Sequence, residues 1–219
     1  MSALPKALLL AAQAVKAIWQ DLWTMLAVNS LWVFSNLLVI PGPPATLALN
    51  AYANAIAAGE AVDHQDYWRY FIGSWKLGWR WGFCNLFILA ILMGDHTLTS
   101  RAQDFPGKKI LLGSYLALGL LWLLIQFFAL PFLYEQKEKS LKQAWANSLV
   151  LMAKNPFFVL TLFITLGFSL LLSSLMFGLS LFFGAVFCSL LANFAVKYRL
   201  SPSSDVQAIS LMKEKEDAL

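Results

Sequence analysis

Uncharged amide side chains are the residues of this 219-residue sequence whose type and spacing could support chemistry in apolar surroundings. Asn29 and Asn36 are seven residues apart and Asn50 and Asn54 are four apart, so each pair shares one face of a helix. If the two helices form a hairpin, the pairs can meet along one polar seam. Such a seam joins the helices through hydrogen bonds of about 0.6–2 kcal/mol each, or it binds a hydroxyl-rich ligand such as a sugar. Interhelical bonding is the simpler interpretation.

Residues typical of catalysis, nucleotide binding or metal binding do not form recognised motifs in the sequence. The patterns GxxxxGK[ST], GxGxxG, GxSxG, HExxH and CxxC do not occur. Asp63 and Asp66 are explained more simply by a helix start, where acidic side chains interact favourably with the helix dipole. Cys84 and Cys188 lie in apolar runs and are expected to be buried thiols. We therefore expect no enzymatic activity, no cofactor and no metal site.

The composition indicates an integral membrane protein. Hydrophobic residues make up 59% of the chain and charged residues 13%, with a mean hydropathy of +0.65. Soluble proteins contain about 45–50% apolar and about 25% charged residues, so this chain has too few polar side chains to cover a water-soluble globule. The net charge of +4 is explained by Lys and Arg beside the spans. We expect contact with the lipid bilayer and none with nucleic acid.

The apolar stretches predict an all-α, polytopic bundle with six transmembrane helices in one domain over residues 1–200, followed by a cytoplasmic tail at 201–219. Crossing about 30 Å of hydrocarbon takes about 20 helical residues. Five stretches reach that length, while the sixth, at residues 44–59, is shorter and rich in alanine. The predicted spans are residues 22–40, 44–59, 75–93, 110–132, 157–175 and 178–196.

The distribution of Lys and Arg predicts the orientation of these spans. With six spans and a cytoplasmic N-terminus, 13 of the 16 basic residues are cytoplasmic, and only Arg101, Lys108 and Lys109 lie outside. Positive residues favour cytoplasmic loops. If residues 44–59 do not cross, five spans with an external N-terminus leave 11 basic residues inside and 5 outside, and this is the alternative. Six spans with both termini cytoplasmic is the preferred topology.

A proline-rich turn is predicted to join the first two spans into a structural hairpin near the outer surface. Pro41, Gly42, Pro43 and Pro44 form the turn, and Thr46 follows in the second helix. Proline lacks an N–H, so Pro44 can begin a helix without leaving a donor unpaired. Gly42 gives the backbone the freedom to reverse its direction.

Amphipathic helices are predicted at the membrane surface over residues 5–20, 63–74 and 140–153. The first leads into the first span. The other two are cytoplasmic interfacial helices that begin at Asp63 and Ser140, both good capping residues, and each leads into a span. Tryptophan is enriched at membrane–water boundaries. The predicted interfacial anchors are therefore Trp68, Trp75, Trp79 and Trp145.

Residues 37–49, which read LLVIPGPPATLAL, resemble the hairpin of the YesL-like family of bacterial integral membrane proteins, whose pattern is approximately L-P-I-x-T-x-G-P-A-T-A-A-L. Pro44, Ala45 and Thr46 match its Pro-Ala-Thr core, while Pro43 replaces a family glycine and the family's leading proline falls at Leu38. Residues 66–76 and 147–156 are similar to the family's two interfacial segments. The resemblance implies a bacterial plasma (inner) membrane protein associated with carbohydrate uptake. It implies no catalytic residues, because the family has no established activity.

The expected function is that of a non-enzymatic accessory or scaffold protein that packs against another membrane assembly, with a carbohydrate or solute uptake system as the expected partner. One alternative is a small subunit of a large energy-transducing membrane complex. Another is a stand-alone transporter or channel for a neutral solute along the asparagine seam. No predicted span has an ionisable residue at its centre, and this argues against proton-driven transport.

Overall fold

The structure of the chain is a computed structural model that describes residues 3–175 and 179–201. No strand occurs in these ranges, and the all-α class is confirmed. The predicted tail lies, from residue 202 onward, outside the described residues. In chain order the helices are α1 (Ala3–Gln20), α2 (Leu22–Leu37), α3 (Gly42–Ala57), α4 (His64–Gly73), α5 (Trp75–Arg101), α6 (Lys108–Tyr134), α7 (Leu141–Lys154), α8 (Pro156–Leu175) and α9 (Leu179–Leu200).

Four of these helices, α5, α6, α8 and α9, are long and apolar enough to cross a membrane. They coincide with four of the six predicted spans, and their length and composition are those of a membrane protein. The other two predicted spans correspond to α2 and α3, which have 16 residues each. At about 1.5 Å per residue each is about 24 Å long, which is less than the roughly 30 Å of a hydrocarbon core.

The predicted hairpin is formed by α2 and α3, which pack against each other. The second helix begins at Gly42, two residues before the predicted start, and Pro43 lies in its first turn. The reversal occurs at Val39, whose φ of 64° lies in the left-handed region. A β-branched residue rarely adopts this conformation, so the turn holds local backbone strain.

The centre of the bundle is α3, which packs against α2, α4, α5, α6 and α9 and has mostly buried side chains. Two glycines of α5 allow its close approach. A Cβ atom on Gly78 would lie 2.7 Å from Cα of Pro44, and one on Gly82 would lie 2.8 Å from Cγ of Pro43. Small residues let helix backbones approach closely. Gly78 and Gly82 thereby hold the first turns of α5 against the start of α3.

The first helix packs lengthwise against α8 and α9. Near its start, Nζ of Lys6 lies 5.6 Å from the ring centroid of Tyr198. Near its end, Ile18 and Trp19 line a cavity of about 280 Å³ together with Phe183. Because the start of α1 meets the end of α9 and the end of α1 approaches its beginning, the two helices run antiparallel.

Both short helices that precede a long helix have side-chain caps at the predicted residues. Asp63 accepts hydrogen bonds from the N–H groups of Gln65 and Asp66, and the Asp66 carboxylate accepts from the Asp63 N–H in a capping box. Ser140 accepts a hydrogen bond from the N–H of Gln143 at 3.4 Å. The Ser140 N–H in turn donates to Oε1 of Gln136 at 2.9 Å, and not to Gln143 as in a capping box.

Residues 86–124 are less buried than the rest of the bundle. None of the residues from 86 to 124, which comprise most of α5 and the first part of α6, is buried. We call residues 86–124 the hairpin arm. Between the two helices of the arm lies a cavity of about 330 Å³, lined by residues such as Leu92, His96 and Tyr115. The arm therefore extends beyond the packed body formed by the rest of the described chain.

Candidate functional site

Asn29 is bonded at both ends of its side-chain amide to one turn of α9. Its Nδ2 donates to the carbonyl of Leu181 at 2.7 Å, and its Oδ1 accepts from the N–H groups of Ala185 and Val186 at 3.1 Å each. In a regular α-helix the carbonyl of residue 181 and the N–H of residue 185 are bonded to each other. The amide, which is 1% exposed, therefore binds the backbone groups of α9 directly.

Asn36 and Thr46 contribute to the turn of the α2–α3 hairpin. Nδ2 of Asn36 donates to the carbonyl of Trp32 in its own helix at 2.8 Å. The indole N–H of Trp32 donates to Oγ1 of Thr46 at 3.1 Å, and the Thr46 hydroxyl donates to the carbonyl of Gly42 at 3.0 Å. The bond between Trp32 and Thr46 joins α2 to α3, and the other two bonds each lie within one helix.

Asn50 and Asn54 lie beside Asn193 of α9. Nδ2 of Asn54 donates to Oδ1 of Asn193 at 3.2 Å, and Nδ2 of Asn193 donates to the carbonyl of Ser189 at 2.8 Å and weakly to that of Asn50 at 3.5 Å. The Asn50 amide donates to the carbonyl of Thr46 at 3.0 Å. Asn193 is fully buried, so this amide cluster fixes α3 against α9.

An ion pair extends the amide cluster to the end of α6. Oε1 of Glu135 accepts from Nδ2 of Asn54 at 2.6 Å and from Nζ of Lys197 at 2.7 Å. The side chains of Glu135 and Lys197 are each 24% exposed. The charges therefore lie at the rim of the bundle, where α3, α6 and α9 meet.

The polar seam predicted between α2 and α3 is not formed as such. Within the described chain, no hydrogen bond joins Asn29 or Asn36 to Asn50 or Asn54. Two of the four instead bond to α9, which packs against both helices of the hairpin. Helical spacing correctly placed each pair on one face but could not show which helix that face meets.

Three of the four predicted anchors lie on the exposed side of α4 and the start of α5. Trp68 is 53% exposed and stacks on Phe71, with ring centroids 5.2 Å apart. Trp75 meets the same ring edge-on at 5.8 Å, and the ring of Trp79 lies 5.0 Å from that of Phe83. Trp68, Phe71 and Trp75 thus form one aromatic cluster, and Trp79 and Phe83 form a second.

The fourth anchor, Trp145, is part of a network that sequence reasoning did not find. Its indole N–H donates to Oε1 of Gln126 at 3.3 Å, and Trp81 donates to the same oxygen at 2.9 Å. Trp122 donates to Oδ1 of Asn85 at 2.9 Å and lies 5.4 Å from the Trp145 ring. The network joins α5, α6 and α7 at the base of the hairpin arm.

A large polar cavity lies at the end of the bundle where the Glu135–Lys197 ion pair is located. It has a volume of about 940 Å³. Its walls come from the segment between α6 and α7, one side of α7, and the end of α9. Two donors of its lining residues, Nε2 of Gln136 and Nε of Arg199, are buried and have no hydrogen-bond partner in the described chain. The Arg199 guanidinium also lies 4.3 Å above the Phe158 ring. We call this space the polar cavity.

No group of three or more His, Cys, Asp or Glu side chains that could hold a metal ion occurs within the described ranges. Cys84 and Cys188 are both free thiols. The chain matches no protein-family model, no curated protein and no solved structure. Its candidate sites are therefore defined by geometry alone: the amide cluster, the polar cavity and the hairpin arm.

Proposed function

We propose that this chain is a non-enzymatic accessory or scaffold subunit that packs against another membrane assembly through the hairpin arm. The observation that carries the proposal is the burial pattern, because no residue from 86 to 124 is buried although the arm is largely apolar. In the body, by contrast, α3 and α9 bury most of their turns. A carbohydrate or solute uptake system is the partner we propose first, in keeping with the resemblance of residues 37–49 to YesL-like proteins.

Glycines of the arm support a helical partner rather than lipid alone. Gly94 and Gly113 have no heavy atom of the described chain within 4 Å of a Cβ position, whereas Gly78 and Gly82 have Pro43 and Pro44 there. Glycine weakens a helix by about 0.5–1 kcal/mol relative to alanine, and small residues at membrane helix interfaces allow close packing. Unpacked arm glycines are thus suited to the approach of a second helix.

The contact between Lys6 and Tyr198 supports termini on one side of the membrane. The five-span alternative with an external N-terminus would place Lys6 and the end of α9 on opposite faces. We propose that both lie at the cytoplasmic face of a bacterial inner membrane, as the positive-inside rule favours. Because α1 follows α9 lengthwise, it is inclined into the bilayer rather than lying flat along residues 5–20. A reporter fused before Lys6 that proved extracytoplasmic would refute this orientation.

The tip of the α2–α3 hairpin supports four full spans plus a re-entrant hairpin instead of the six spans predicted. Leu37, Leu38, Val39 and Ile40 are all apolar and at least 63% exposed. The N–H groups of residues 38, 39, 40 and 42 each donate to a carbonyl within the turn, as a backbone surrounded by hydrocarbon requires. The segment from α1 to α3 returns to the side on which α1 begins, because Asn54 near the end of α3 contacts Glu135, which is paired with Lys197 near the end of α9. The basic residues that follow α3 therefore lie on the same sides of the membrane as with six spans.

A transporter for a neutral solute is the second candidate, and the structure offers it less support. The amides of Asn29 and Asn193 are bonded to protein groups on both the oxygen and the nitrogen. Few of their hydrogen-bonding positions remain free for a sugar hydroxyl, and their bonds connect helices to one another. If the chain is instead a subunit of an energy-transducing complex, it would bind that complex through the same hairpin arm. This alternative differs from our first proposal only in the identity of the partner.

The experiment is purification of the tagged full-length protein from native membranes in mild detergent, with mass spectrometry of all retained proteins. We expect stoichiometric recovery of subunits from one membrane assembly. Gly113→Leu should abolish recovery, since it adds bulk to the arm surface at a position where a Cβ atom meets no described atom within 4 Å. Gly167→Leu is the matched control, because Gly167 on α8 is equally open but lies outside the arm. Recovery of the protein alone, or equal loss with both variants, would refute an accessory role for the arm.

A further inference from the structure

We infer that the polar cavity binds the phosphate group of an anionic phospholipid from the leaflet at this end of the bundle. The inference rests on the membrane orientation proposed above but not on the identity of any protein partner. Three features of the cavity carry it, namely its charge, its unpartnered donors and its mixed polar and apolar lining.

The charge of the lining is positive. Lys137, Lys154 and Arg199 contribute three cations, and Glu135 and Glu138 contribute two carboxylates. One of these carboxylates is already neutralised, because Glu135 is paired with Lys197 at 2.7 Å. An anion in the cavity therefore meets an excess of positive charge, which favours phosphate over a neutral or cationic group.

Hydrogen-bond donors line the cavity in addition to these cations. The amides of Gln136, Gln143, Asn147 and Asn155 are part of the wall. Nε2 of Gln136 and Nε of Arg199 are buried without a partner, and an unpaired buried donor is unfavourable. A phosphate oxygen bound beside Gln136 and Arg199 would supply an acceptor that the described chain does not.

The size and lining of the cavity favour a phospholipid over free phosphate. Its volume of about 940 Å³ lies at the upper end of the roughly 300–1,000 Å³ typical of ligand sites, far more than a phosphate ion fills. Phe132, Val150 and Leu200 give part of the wall an apolar surface suited to the glycerol and the first acyl carbons. Basic pockets between membrane helices on the cytoplasmic side are typical sites for anionic head groups.

The test is a lipid titration of the full-length protein in mild detergent, read by native mass spectrometry. Phosphatidylglycerol is compared with phosphatidylcholine of the same acyl chains, and inorganic phosphate is titrated separately. We expect a preference for phosphatidylglycerol that Lys154→Gln weakens about fivefold, which corresponds to the loss of one cation near the membrane surface. Gln136→Leu should weaken it without any change of charge. Lys109→Gln, at the start of α6 outside the cavity, is the control and should leave the affinity unchanged.

Four results would overturn the inference. One is binding of the two lipids with equal affinity. Another is an equal loss in Lys154→Gln and Lys109→Gln, which would show general surface attraction. If inorganic phosphate binds with the same dependence on Lys154 while phosphatidylglycerol shows no preference, the site takes a soluble anion. If phosphatidylglycerol binds only after Asp205, Glu214, Glu216 and Asp217 are neutralised, the cavity belongs to the chain's own tail. Because the titration uses the isolated protein, failure to recover a protein partner leaves its result unchanged.

Discussion

Replacing Asn29 with leucine is the most direct test of how the bundle is held together. The side chain makes three hydrogen bonds to one turn of α9, and side-chain hydrogen bonds in membrane proteins contribute about 0.6 kcal/mol each on average. The three together give a loss of about 2 kcal/mol in the free energy of unfolding. Leucine has the same branching and the same number of side-chain heavy atoms as asparagine, so the change leaves no empty cavity. The loss stays moderate because the carbonyl of Leu181 and the N–H of Ala185 can bond to each other within α9.

The matched control is Asn36→Leu. Asn36 lies one heptad further along the same helix, but its amide donates only to the carbonyl of Trp32 in α2. That carbonyl lies within a helix where the backbone already supplies a donor, so we expect a loss of no more than about 0.5 kcal/mol. The comparison separates bonds between helices from bonds within one helix.

The assay is reversible unfolding in mixed micelles, with the mole fraction of denaturing detergent as the variable and far-ultraviolet circular dichroism as the signal. Hydrogen exchange provides a second readout, because the amides of Ala185 and Val186 should exchange faster in Asn29→Leu alone. Equal destabilisation by both substitutions, or unchanged exchange at residues 185 and 186, would refute the assignment of Asn29 as the link between α2 and α9.

Three further experiments test other parts of the structure. Val39→Gly should raise the melting temperature, because the left-handed conformation of Val39 costs about 1–2 kcal/mol. The conformational entropy that glycine loses on folding offsets only part of this gain. A lower melting temperature would contradict the prediction. Gln126→Leu should destabilise the protein by about 1–2 kcal/mol, because the indole N–H groups of Trp81 and Trp145 lose their acceptor. Unchanged stability and unchanged tryptophan fluorescence would argue against this hydrogen-bond network. A double-mutant cycle with Glu135→Gln and Lys197→Gln should give a coupling below about 1 kcal/mol, as expected of a partly exposed pair, and a much larger coupling would mean that the pair is shielded from water.

Features that depend on neighbouring residues could be predicted from the sequence. The caps at Asp63 and Ser140 follow from local backbone chemistry, and the structure contains both. A turn between the two helices was also predicted, but its position was wrong: the reversal occurs at Val39, and Gly42 belongs to α3. The predicted span at 22–40 was too long for a related reason. Leu38, Val39 and Ile40 are apolar, so hydropathy includes them, but α2 ends at Leu37 because the backbone turns there.

The partners of the asparagines could not be predicted, because they are distant in the chain. Asn54 and Asn193 are 139 residues apart, and Asn29 is more than 150 residues from the turn of α9 that it binds. Helical spacing identifies a shared face, but any of several helices can cover that face. Glu135 follows the end of a predicted span, and nothing in the sequence around it indicates that its carboxylate would contact Lys197 and Asn54.

The position of α7 connects the sites that we propose. On one side, Trp145 bonds to Gln126 at the base of the hairpin arm. On another, Asn147 and Lys154 line the polar cavity. A substitution at Trp145 therefore acts first on the arm and one at Lys154 first on the cavity, although both are on a single 14-residue helix. Since one helix contributes side chains to both sites, variants on the two sides of α7 must be compared in both the partner and the lipid assay before an effect is assigned to one site.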